Sequence, residues 1–393
     1  MLSSSAGAVV QTVGRVCQRS RLASKFFRLS NTTTRLATTT STQTNHGTDS
    51  GKHRQYNVGA FGAGRIGRMH LRNVANHRRL KLKWVVEDKA EAREATQDEL
   101  FLHDTSFSSS SETQSLLSDP SLDGVFIFTN TESHASLITQ ALDKGKAVFV
   151  EKPTAETREE IDQCYSLAQA KGTYLFTGFQ RRLDPAMSDL YTAVRHRGLV
   201  GKIFNIHTVS RDSPKPSYDF LENCDPNGCN ILSDMAVHDV DIIVWLTQAE
   251  LPEFIYVVTH AHDQVLADKG VDDSLTVVIK YKSGVIATID SCRETTYGYD
   301  IRVEVFGSDG MVVAENPRES SAVINGAAGG TIRRLFHSFP QRFEKAFQLE
   351  IDHFVRCMDG TDEPPVTKDQ ALMTARIIEK GVQSFREKQP VYF

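Results

Sequence analysis

Three ionisable residues share one face of a segment that otherwise looks like a buried helix. Residues 230–246 are NILSDMAVHDVDIIVWL, in which Asp234, His238 and Asp241 stand at positions i, i+4 and i+7. This spacing places the three side chains on one helical stripe. Charge in an apolar segment is costly unless it is paired, so the stripe needs partners or a function. A carboxylate one turn from an imidazole suits an acid–base unit, an ion pair or a metal pair.

A metal pair is the least favoured of these interpretations. The nearby Cys224 and Cys229 have a C-x4-C spacing without a second close pair of ligands. His260 and His262 lie two apart in a predicted strand, which is more typical of one sheet face than of a metal site. We therefore predict no metal. A core histidine that Asp241 satisfies stays open as a structural alternative.

A glycine-rich loop follows the first predicted strand of the globular part. Gly62, Gly64 and Gly67 form G-x-G-x-x-G at the start of a predicted helix. Glycines there permit a tight turn and let backbone amides approach a pyrophosphate at the helix N-terminus. The alternative is a purely structural turn. The strand-loop-helix context favours a dinucleotide site, with Arg65 and Ile66 of the same loop among the expected contacts.

An acidic residue ends the next predicted strand. Glu87 lies 20 residues after Gly67, where it is placed to accept hydrogen bonds from an adenosine ribose. Its charge repels a 2′-phosphate, so we predict NAD as the cofactor, with NADP less favoured. Lys89 and Arg93 are close enough in sequence to weaken that preference. The neighbouring Asp88 is the alternative ribose contact.

Polar residues also end later predicted strands of this region. Thr129, Thr131 and His134 close one strand and start a helix, while Glu151 and Lys152 close another. In a doubly wound sheet such strand ends line the ligand crevice, so we expect all five to contact the cofactor or to lie beside it. Taken alone, the lysine is also compatible with a solvated loop.

A third strand end carries Gln180, Arg181 and Arg182 in GFQRRLDP. Guanidinium groups suit polyhydroxyl or carboxylate ligands. Either arginine could instead form a structural ion pair, for example with Asp184.

The order of predicted elements separates two domains. Residues 53–183 alternate short apolar runs with amphipathic stretches, which predicts an α/β Rossmann dinucleotide-binding domain with a parallel sheet. Its polar run SFSSSSETQS, residues 106–115, is interpreted as a surface loop. Residues 184–365 contain consecutive strands with hairpin-like turns, which predict an α+β substrate and oligomerisation domain with a large open, mostly antiparallel sheet. Residues 366–393 are predicted to form a C-terminal helix and tail.

The N-terminus differs in composition from the remainder. Residues 1–48 hold six Lys or Arg and no Asp or Glu, which predicts a mitochondrial transit peptide over residues 1–52 and a matrix location. A disordered basic tail on a cytoplasmic protein is the alternative. When those six charges leave, the formal charge falls from −4 to −10, which argues against nucleic-acid binding. Short apolar runs argue against a membrane span, and six scattered cysteines suit a reducing compartment.

These motifs together resemble the glucose-fructose oxidoreductase and inositol dehydrogenase family. The resemblance rests on the glycine loop, on Glu151-Lys152-Pro153 at a later strand end and on the D-x-x-x-H helix. The stretches GFQRRLDP, SRDSPKP and TYGYDIRVEVFGSDGM are more specific and bring the chain closest to the inositol dehydrogenases. The resemblance covers residues 55–390.

The resemblance implies NAD-dependent oxidation of a ring CH–OH in a cyclic polyol, with myo-inositol to 2-keto-myo-inositol as the first candidate. It also implies a homodimer or homotetramer. It carries the catalytic roles onto Lys152, Asp234 and His238. The implied substrate contacts are Lys152, Gln180, Arg181, Asp212, Asp234, His238 and Tyr299.

Roles on the helix follow from this implied reaction. His238 is the expected base, and Lys152 is expected to stabilise the developing alkoxide. Asp234 would hold a neighbouring hydroxyl and Asp241 would orient the imidazole from behind. Asp239 is interpreted as incidental.

Two positions depart from the family pattern, and two alternatives stay open. Asp212 stands where related enzymes can carry Asn, and Asn130 stands where the family commonly has Pro. The alternatives are a different sugar or dihydrodiol substrate and a catalytically silent NAD-binding regulator. A regulator needs the glycine loop but not Lys152, Asp234 and His238 together.

Overall fold

The structure is a computed structural model that describes residues 54–393 except residues 223, 226, 328 and 333. The predicted transit peptide, residues 1–52, lies outside the described residues and stays a prediction. Within the described part of the chain, no helix is long and apolar enough to cross a membrane.

A six-stranded parallel sheet forms the first half of the described chain. Its strands are β1 (Tyr56–Phe61), β2 (Leu80–Val86), β3 (Ser106–Ser108), β4 (Gly124–Ile127), β5 (Ala147–Glu151) and β6 (Leu175–Gly178). They lie in the order β3-β2-β1-β4-β5-β6. The order reverses between β1 and β4, which is where doubly wound sheets bind their ligands. The predicted Rossmann domain is confirmed.

Five helices connect these strands. They are α1 (Arg65–Asn76), α2 (Ala90–Glu99), α3 (Thr113–Leu117), α4 (His134–Asp143) and α5 (Arg158–Lys171). The ends of α5 show why the chain turns where it does. Thr157 and Glu160 form a reciprocal capping box at its start, and Gly172 ends it with a φ of +62°.

The run SFSSSSETQS is not a surface loop throughout. Its first three residues pair with β2 as the edge strand β3, and Thr113 begins α3. Serine supplies neither the apolar alternation nor the β-branched side chains that signal a strand. The sequence pattern therefore missed this element.

A seven-stranded sheet forms the second half. Its strands are β7 (Ile203–Arg211), β8 (Pro252–His260), β9 (Ser274–Tyr281), β10 (Ile286–Cys292), β11 (Asp300–Gly307), β12 (Met311–Ala314) and β15 (Val391–Tyr392). Between β12 and β15, the strands β13 (Val323–Gly326) and β14 (Gly329–Ile332) form a separate hairpin. The order is β12-β11-β7-β10-β9-β8-β15. β7 and β10 run parallel, and the other neighbours run antiparallel. The predicted mostly antiparallel sheet is confirmed.

Seven α-helices belong to this second half of the described chain. They are α6 (Pro185–Tyr191), α7 (Tyr218–Glu222), α8 (Val237–Thr247), α9 (Gln264–Ala267), α10 (Phe339–Arg342), α11 (Glu344–Met358) and α12 (Lys368–Glu387). The helix predicted over residues 230–246 forms, but it begins with a π-helical turn, Ile231–Ala236, before α8. α12 packs against α8, β8 and α5, so it contacts both halves of the fold.

Two buried ion pairs join the end of β6 to α8. Arg181 Nη1 lies 3.0 Å from Asp239 Oδ1. Arg182 donates two hydrogen bonds, of 2.9 and 2.7 Å, to the two carboxylate oxygens of Asp241. None of the four side chains is more than 2% exposed. Since α8 carries the residues of the predicted site, these pairs fix its distance from the first sheet.

Asp184, the partner suggested for either arginine, binds a different arginine. Asp184 caps α6 and accepts hydrogen bonds from Arg342 at 2.7 and 3.2 Å. Arg181 and Arg182 therefore form the structural ion pairs that were the alternative interpretation of these residues, but with aspartates that lie more than fifty residues later in the chain.

Replacing Arg182 by methionine should destabilise the protein strongly. The change would leave Asp241 buried without its cation, at an expected cost of about 3 to 5 kcal/mol in the free energy of unfolding. Urea unfolding followed by circular dichroism measures it. The control is Arg211→Met, which breaks a partly exposed pair with Asp290 and should cost about 1 kcal/mol or less. Equal losses in the two variants would contradict the role given to the buried pair.

Candidate active site

The three glycines of the G-x-G-x-x-G loop differ in the space that a side chain would have. Gly62 has a φ of +91°, and a Cβ there would lie 2.8 Å from the Phe128 carbonyl oxygen. A Cβ at Gly67 would lie 2.5 Å from the Gly62 carbonyl oxygen, whereas a Cβ at Gly64 would meet nothing within 4 Å. Gly64 precedes α1, so the open space lies at a helix N-terminus. This is the approach that a pyrophosphate needs.

A cavity of about 420 Å³ lies at the ends of β1, β2 and β4. Its position at the strand-order reversal and beside the glycine loop matches an adenosine site. The cavity is lined by Phe61, Gly62, Gly64, Val86, Glu87, Asp88, Ser110, Thr113, Phe128, Thr129, Asn130, Ser133, Ser136 and Leu137.

Two carboxylates face this cavity. Glu87 accepts the backbone N–H of Ala63 at 3.0 Å and that of Lys89 at 3.1 Å, so it also holds the glycine loop in shape. Asp88 accepts the backbone N–H of Ser110 at 2.8 Å, and this bond lowers the pKa of Asp88. The rim at which an adenosine ribose would lie is therefore negative.

The nearby cations do not line the cavity. Arg93 donates to the backbone carbonyl oxygens of Glu87 and Asp88 at 2.6 and 3.1 Å. Neither Arg93 nor Lys89 is among the lining residues. The described contacts thus give no binding site for a 2′-phosphate at this rim.

Of the predicted cofactor residues that follow β4, some line the cavity and others hold the loop in shape. Thr129 lines the cavity, whereas Thr131 lies in the following turn and does not. His134 is buried, with its ring nitrogens 2.9 Å from the Pro153 carbonyl oxygen and 3.1 Å from that of Thr129. The ring therefore ties two strand-end loops together beside the cavity, and its contact with the cofactor stays a prediction.

Three other residues expected to bind the cofactor, Arg65, Ile66 and Glu151, differ from one another in exposure and contacts. Arg65 is exposed on the first turn of α1, and Ile66 packs against the core under the second sheet. Glu151 is buried. Its carboxylate oxygens lie 2.6 Å from His70 Nε2 and 3.1 Å from the Lys152 backbone nitrogen. The Glu151 side chain is thus bound inside the protein, and its assignment to the cofactor stays a prediction.

Lys152 reaches from the end of β5 to the π-helical turn before α8. Its Nζ lies 3.3 Å from Asp234 Oδ1 and 3.1 Å from the Asp234 carbonyl oxygen. On the other side, Arg293 Nη1 lies 3.5 Å from Asp234 Oδ2. Burial by itself would raise the pKa of Asp234, but Lys152 and Arg293 bring it below its ordinary value. Asp234 is therefore a carboxylate between two cations.

His238 lies one turn after Asp234. Its Nδ1 is buried and has no hydrogen-bond partner within the described residues. Burial lowers the pKa of His238 well below its ordinary value, and the charges of Lys152 and Arg181 lower it further. The imidazole is therefore neutral at neutral pH. Among the residues that the structure describes, no three His, Cys, Asp or Glu side chains are grouped to hold a metal.

Three predicted substrate residues surround this group. Gln180 is buried in the turn after β6, and Tyr299 is buried just before β11. Asp212 directly follows β7. Burial raises the pKa of Asp212 to about 6, Arg293 opposes the shift and Asp234 adds to it. Burial and the charge of Asp212 in turn raise the pKa of Tyr299.

The remaining charged residues have roles other than those expected. Asp241 does not orient the imidazole, because both of its oxygens bind Arg182. Asp239 is not incidental, since it accepts hydrogen bonds from Arg181 at 3.0 Å and from the Ser210 hydroxyl at 2.8 Å. Arg181 also donates to Ser210 at 3.0 Å. Its guanidinium therefore holds α8 against β7, and its assignment to the substrate stays a prediction.

Comparison with known proteins identifies the family of this chain. An oxidoreductase family with an NAD-binding Rossmann fold matches residues 56–179, and the Gfo/Idh/MocA C-terminal domain matches residues 192–313. Inositol 2-dehydrogenase of Rhizobium meliloti is 30% identical over 85% of this chain and 98% of its own length. The chain belongs to the Gfo/Idh/MocA oxidoreductase family.

Further relatives of this Gfo/Idh/MocA oxidoreductase have a similar extent. A Bacillus subtilis protein named scyllo-inositol 2-dehydrogenase (NAD(+)) is 29% identical over 86% of this chain and 96% of its own length. The crystal structure of myo-inositol 2-dehydrogenase from Lactobacillus plantarum has a TM-score of 0.77 at 26% identity, covering 86% of this chain and 100% of the other. The chain is thus an NAD-dependent oxidoreductase that is similar to inositol dehydrogenases.

One residue of the oxidoreductase site was missed by sequence reasoning. Arg293 is 2% exposed, and besides Asp234 it contacts Asn230 Oδ1 at 2.5 Å through Nη2. A single arginine in SCRETT has no diagnostic spacing. Its role depends on β10 lying beside the π-helical turn, which only the folded chain reveals.

Asp212→Asn should stabilise this oxidoreductase at neutral pH. The pKa of Asp212 is about 6 in the folded protein against an ordinary 3.8, so the charged form destabilises the fold above pH 6 and the cost disappears as the pH falls to 4. Urea unfolding should show a gain of about 3 kcal/mol at pH 7.5 and about 1 kcal/mol at pH 4.5.

The control for this change is the exposed Asp104→Asn, which should stay within about 0.5 kcal/mol at both pH values. A gain at Asp212 that is the same at pH 4.5 and pH 7.5 would show that its carboxyl group is not perturbed by burial.

Proposed function

We propose that this protein oxidises a ring CH–OH of a cyclic polyol to the ketone with NAD as the acceptor, and that myo-inositol is its substrate. The observation that carries the proposal is the contact of Lys152 with Asp234, one turn before a neutral His238. A carbonyl-forming oxidation needs a proton acceptor, a cation for the developing alkoxide and groups that hold the ring. Relatives named for inositols support the substrate class.

NAD fits the residues of the first domain. The open space at Gly64 admits a pyrophosphate to the N-terminus of α1, and Glu87 or Asp88 is placed to accept hydrogen bonds from ribose hydroxyls. The same two carboxylates repel a 2′-phosphate, which favours NAD over NADP. When bound, NAD supplies the nicotinamide ring that accepts the hydride.

The proton is handled by two side chains in this proposal. His238 takes the proton of the reacting hydroxyl, since the imidazole is neutral in its buried position. Lys152 donates a hydrogen bond to the same oxygen and stabilises the alkoxide as it forms. The lysine already lies against Asp234, so its ammonium is oriented before the substrate arrives.

The other hydroxyl groups of the ring require both donors and acceptors. Asp234 and Asp212 accept hydrogen bonds, whereas Gln180 and Tyr299 can both donate and accept. Arg293 keeps Asp234 ionised for this role. The buried Asp212 takes up a proton below a pH of about 6, so its contribution as an acceptor declines in acid.

Absorbance of the reduced cofactor tests the reaction directly. Purified protein is incubated with a panel of inositols, aldoses and dihydrodiols with NAD or NADP. The expected result is reduction of NAD with myo-inositol and a much lower rate with NADP. Reduction with a different polyol alone would reassign the substrate, and no reduction with any member would favour the regulator.

Lys152→Met and His238→Ala should each lower kcat by about 100-fold or more, because each removes a group that acts on the reacting hydroxyl. NAD affinity, measured by fluorescence titration, should change little. The matched control is Lys215→Met, because the Lys215 ammonium pairs with Asp263, which is not a member of the trio Lys152, Asp234 and His238. Near wild-type turnover in either folded variant would remove that residue from the mechanism.

The open face of the second sheet is proposed to bind a second copy of the chain. Register places Ile286 of β10, Phe306 of β11 and Val258 of β8 on one face, and their exposures are 37, 45 and 50%. The opposite face is covered by helices. Exposed apolar side chains grouped on a sheet are typical of a protein interface.

Ile286→Glu with Phe306→Glu should convert an oligomer to monomers, because the charges would be buried in the interface. Light scattering after size exclusion measures the mass. The control is the double variant Phe101→Glu with Leu199→Glu, at two exposed positions outside the strands of the second sheet. A wild-type protein that is monomeric would contradict the proposal.

A further inference from the structure

Three buried ionisable side chains lie behind the turn that carries Lys152. They are His70 on α1, Glu151 at the end of β5 and Glu350 on α11, here called the His70 cluster. Their exposures are 0, 7 and 0%. Ionisable groups buried at this depth are rare unless they are paired, so the cluster needs an explanation.

Glu350 is the most unusual member. Neither of its carboxyl oxygens has a hydrogen-bond partner within the described residues. Burial raises the pKa of Glu350 well above its ordinary value, and the neighbouring Glu151 raises it further. Both effects favour the protonated form of Glu350. Within the cluster, Glu151 contacts His70 and accepts the Lys152 backbone N–H.

His70 is held rigidly by aromatic rings. Its imidazole stacks on Phe128 with centroids 4.6 Å apart and meets the edges of Phe347 and Phe149 at 5.3 and 5.6 Å. A close-packed ring of this kind cannot shift without repacking its neighbours. Movement of α1 would therefore be transmitted to whatever the imidazole binds.

The His70 cluster connects two parts of the site that do not touch directly. α1 begins at the glycine loop, and His70 lies on its second turn. His70 Nε2 lies 2.6 Å from one Glu151 oxygen, and the other Glu151 oxygen accepts the Lys152 backbone N–H at 3.1 Å. A continuous path thus runs from the helix that would hold the pyrophosphate to the backbone of the lysine.

We propose that the His70 cluster is a positioning device, which couples occupation of the glycine loop to the placement of Lys152. Its members touch neither substrate nor cofactor. The inference rests on the proposed function in treating Lys152 as a catalytic group. Coupling between two sites requires an element whose arrangement both sites bias, and α1 with its buried imidazole supplies one.

The test uses ADP-ribose, which fills the pyrophosphate and adenosine sites but has no nicotinamide to cover Lys152. The rate at which an amine-reactive reagent labels Lys152 is followed by peptide mass spectrometry with and without saturating ADP-ribose. In the wild type we expect ADP-ribose to change this rate by about 5-fold. In His70→Phe, which keeps the aromatic stack, the change should fall below about 2-fold while ADP-ribose still binds.

Two further variants make the outcome specific. Glu151→Gln retains the shape of the side chain and should also lose the response, so a folding defect in one variant does not leave the proposal untested. The matched control is His77→Gln. His77 also lies at the α1–α11 contact and binds a carboxylate, that of Asp352 at 3.1 Å, but away from Lys152. This variant should keep the full response.

The proposal is overturned if a folded His70→Phe or Glu151→Gln protein responds like the wild type. It is also overturned if ADP-ribose leaves the labelling of wild-type Lys152 unchanged. Because no polyol is present, the result is independent of the proposed function. A response without polyol oxidation would refute that function alone, whereas polyol oxidation without a response would refute the coupling alone.

Discussion

The geometry of the site depends on two arginines that hold α8. Lys152 directly follows β5 of the first sheet, whereas Asp234 and His238 lie between β7 and β8 of the second, so their separation is set by the contacts that join these parts. Arg181 and Arg182 do this through Asp239 and Asp241. Arg182 also donates to Pro365 and Gln370, at 2.7 and 2.6 Å, and so fixes the start of α12. Buried ion pairs add little net stability, but they tolerate few arrangements, and a precise distance is what the site requires.

Sequence patterns predicted what local interactions determine. The glycine loop and the alternation of strands and helices are encoded within short stretches, whereas the trio Lys152, Asp234 and His238 was implied by the family resemblance. The structure brings Lys152 into contact with Asp234, one turn before His238. Patterns failed where a partner is distant in the chain. Asp241 was assigned to the histidine on its own helix, but it binds an arginine 59 residues earlier. Arg293 had no local signal for the same reason, and β3 lacked the apolar alternation that marks strands.

Electrostatics separate the two carboxylates of the site. Asp234 lies between Lys152 and Arg293 and has a lowered pKa, whereas burial raises the pKa of Asp212 to about 6. Different environments thus shift the pKa values of two identical side chains in opposite directions, so that below a pH of about 6 Asp212 takes up a proton while Asp234 stays ionised. Burial is the main cause of the lowered pKa of His238, and Lys152, one of the two cations that hold Asp234 ionised, lowers it further. The same ammonium therefore favours an ionised carboxylate and a neutral imidazole.

The π-helical turn before α8 makes the length of this segment matter as much as its composition. Ile231–Ala236 follows a wider helical path than α8. Loss of one residue here would restore ordinary helical winding and rotate everything before it by about 100° around the axis. Asp234 would then turn away from Lys152 even though every side chain of the site was still present. Related chains that lack this extra residue would need a different acid in its place.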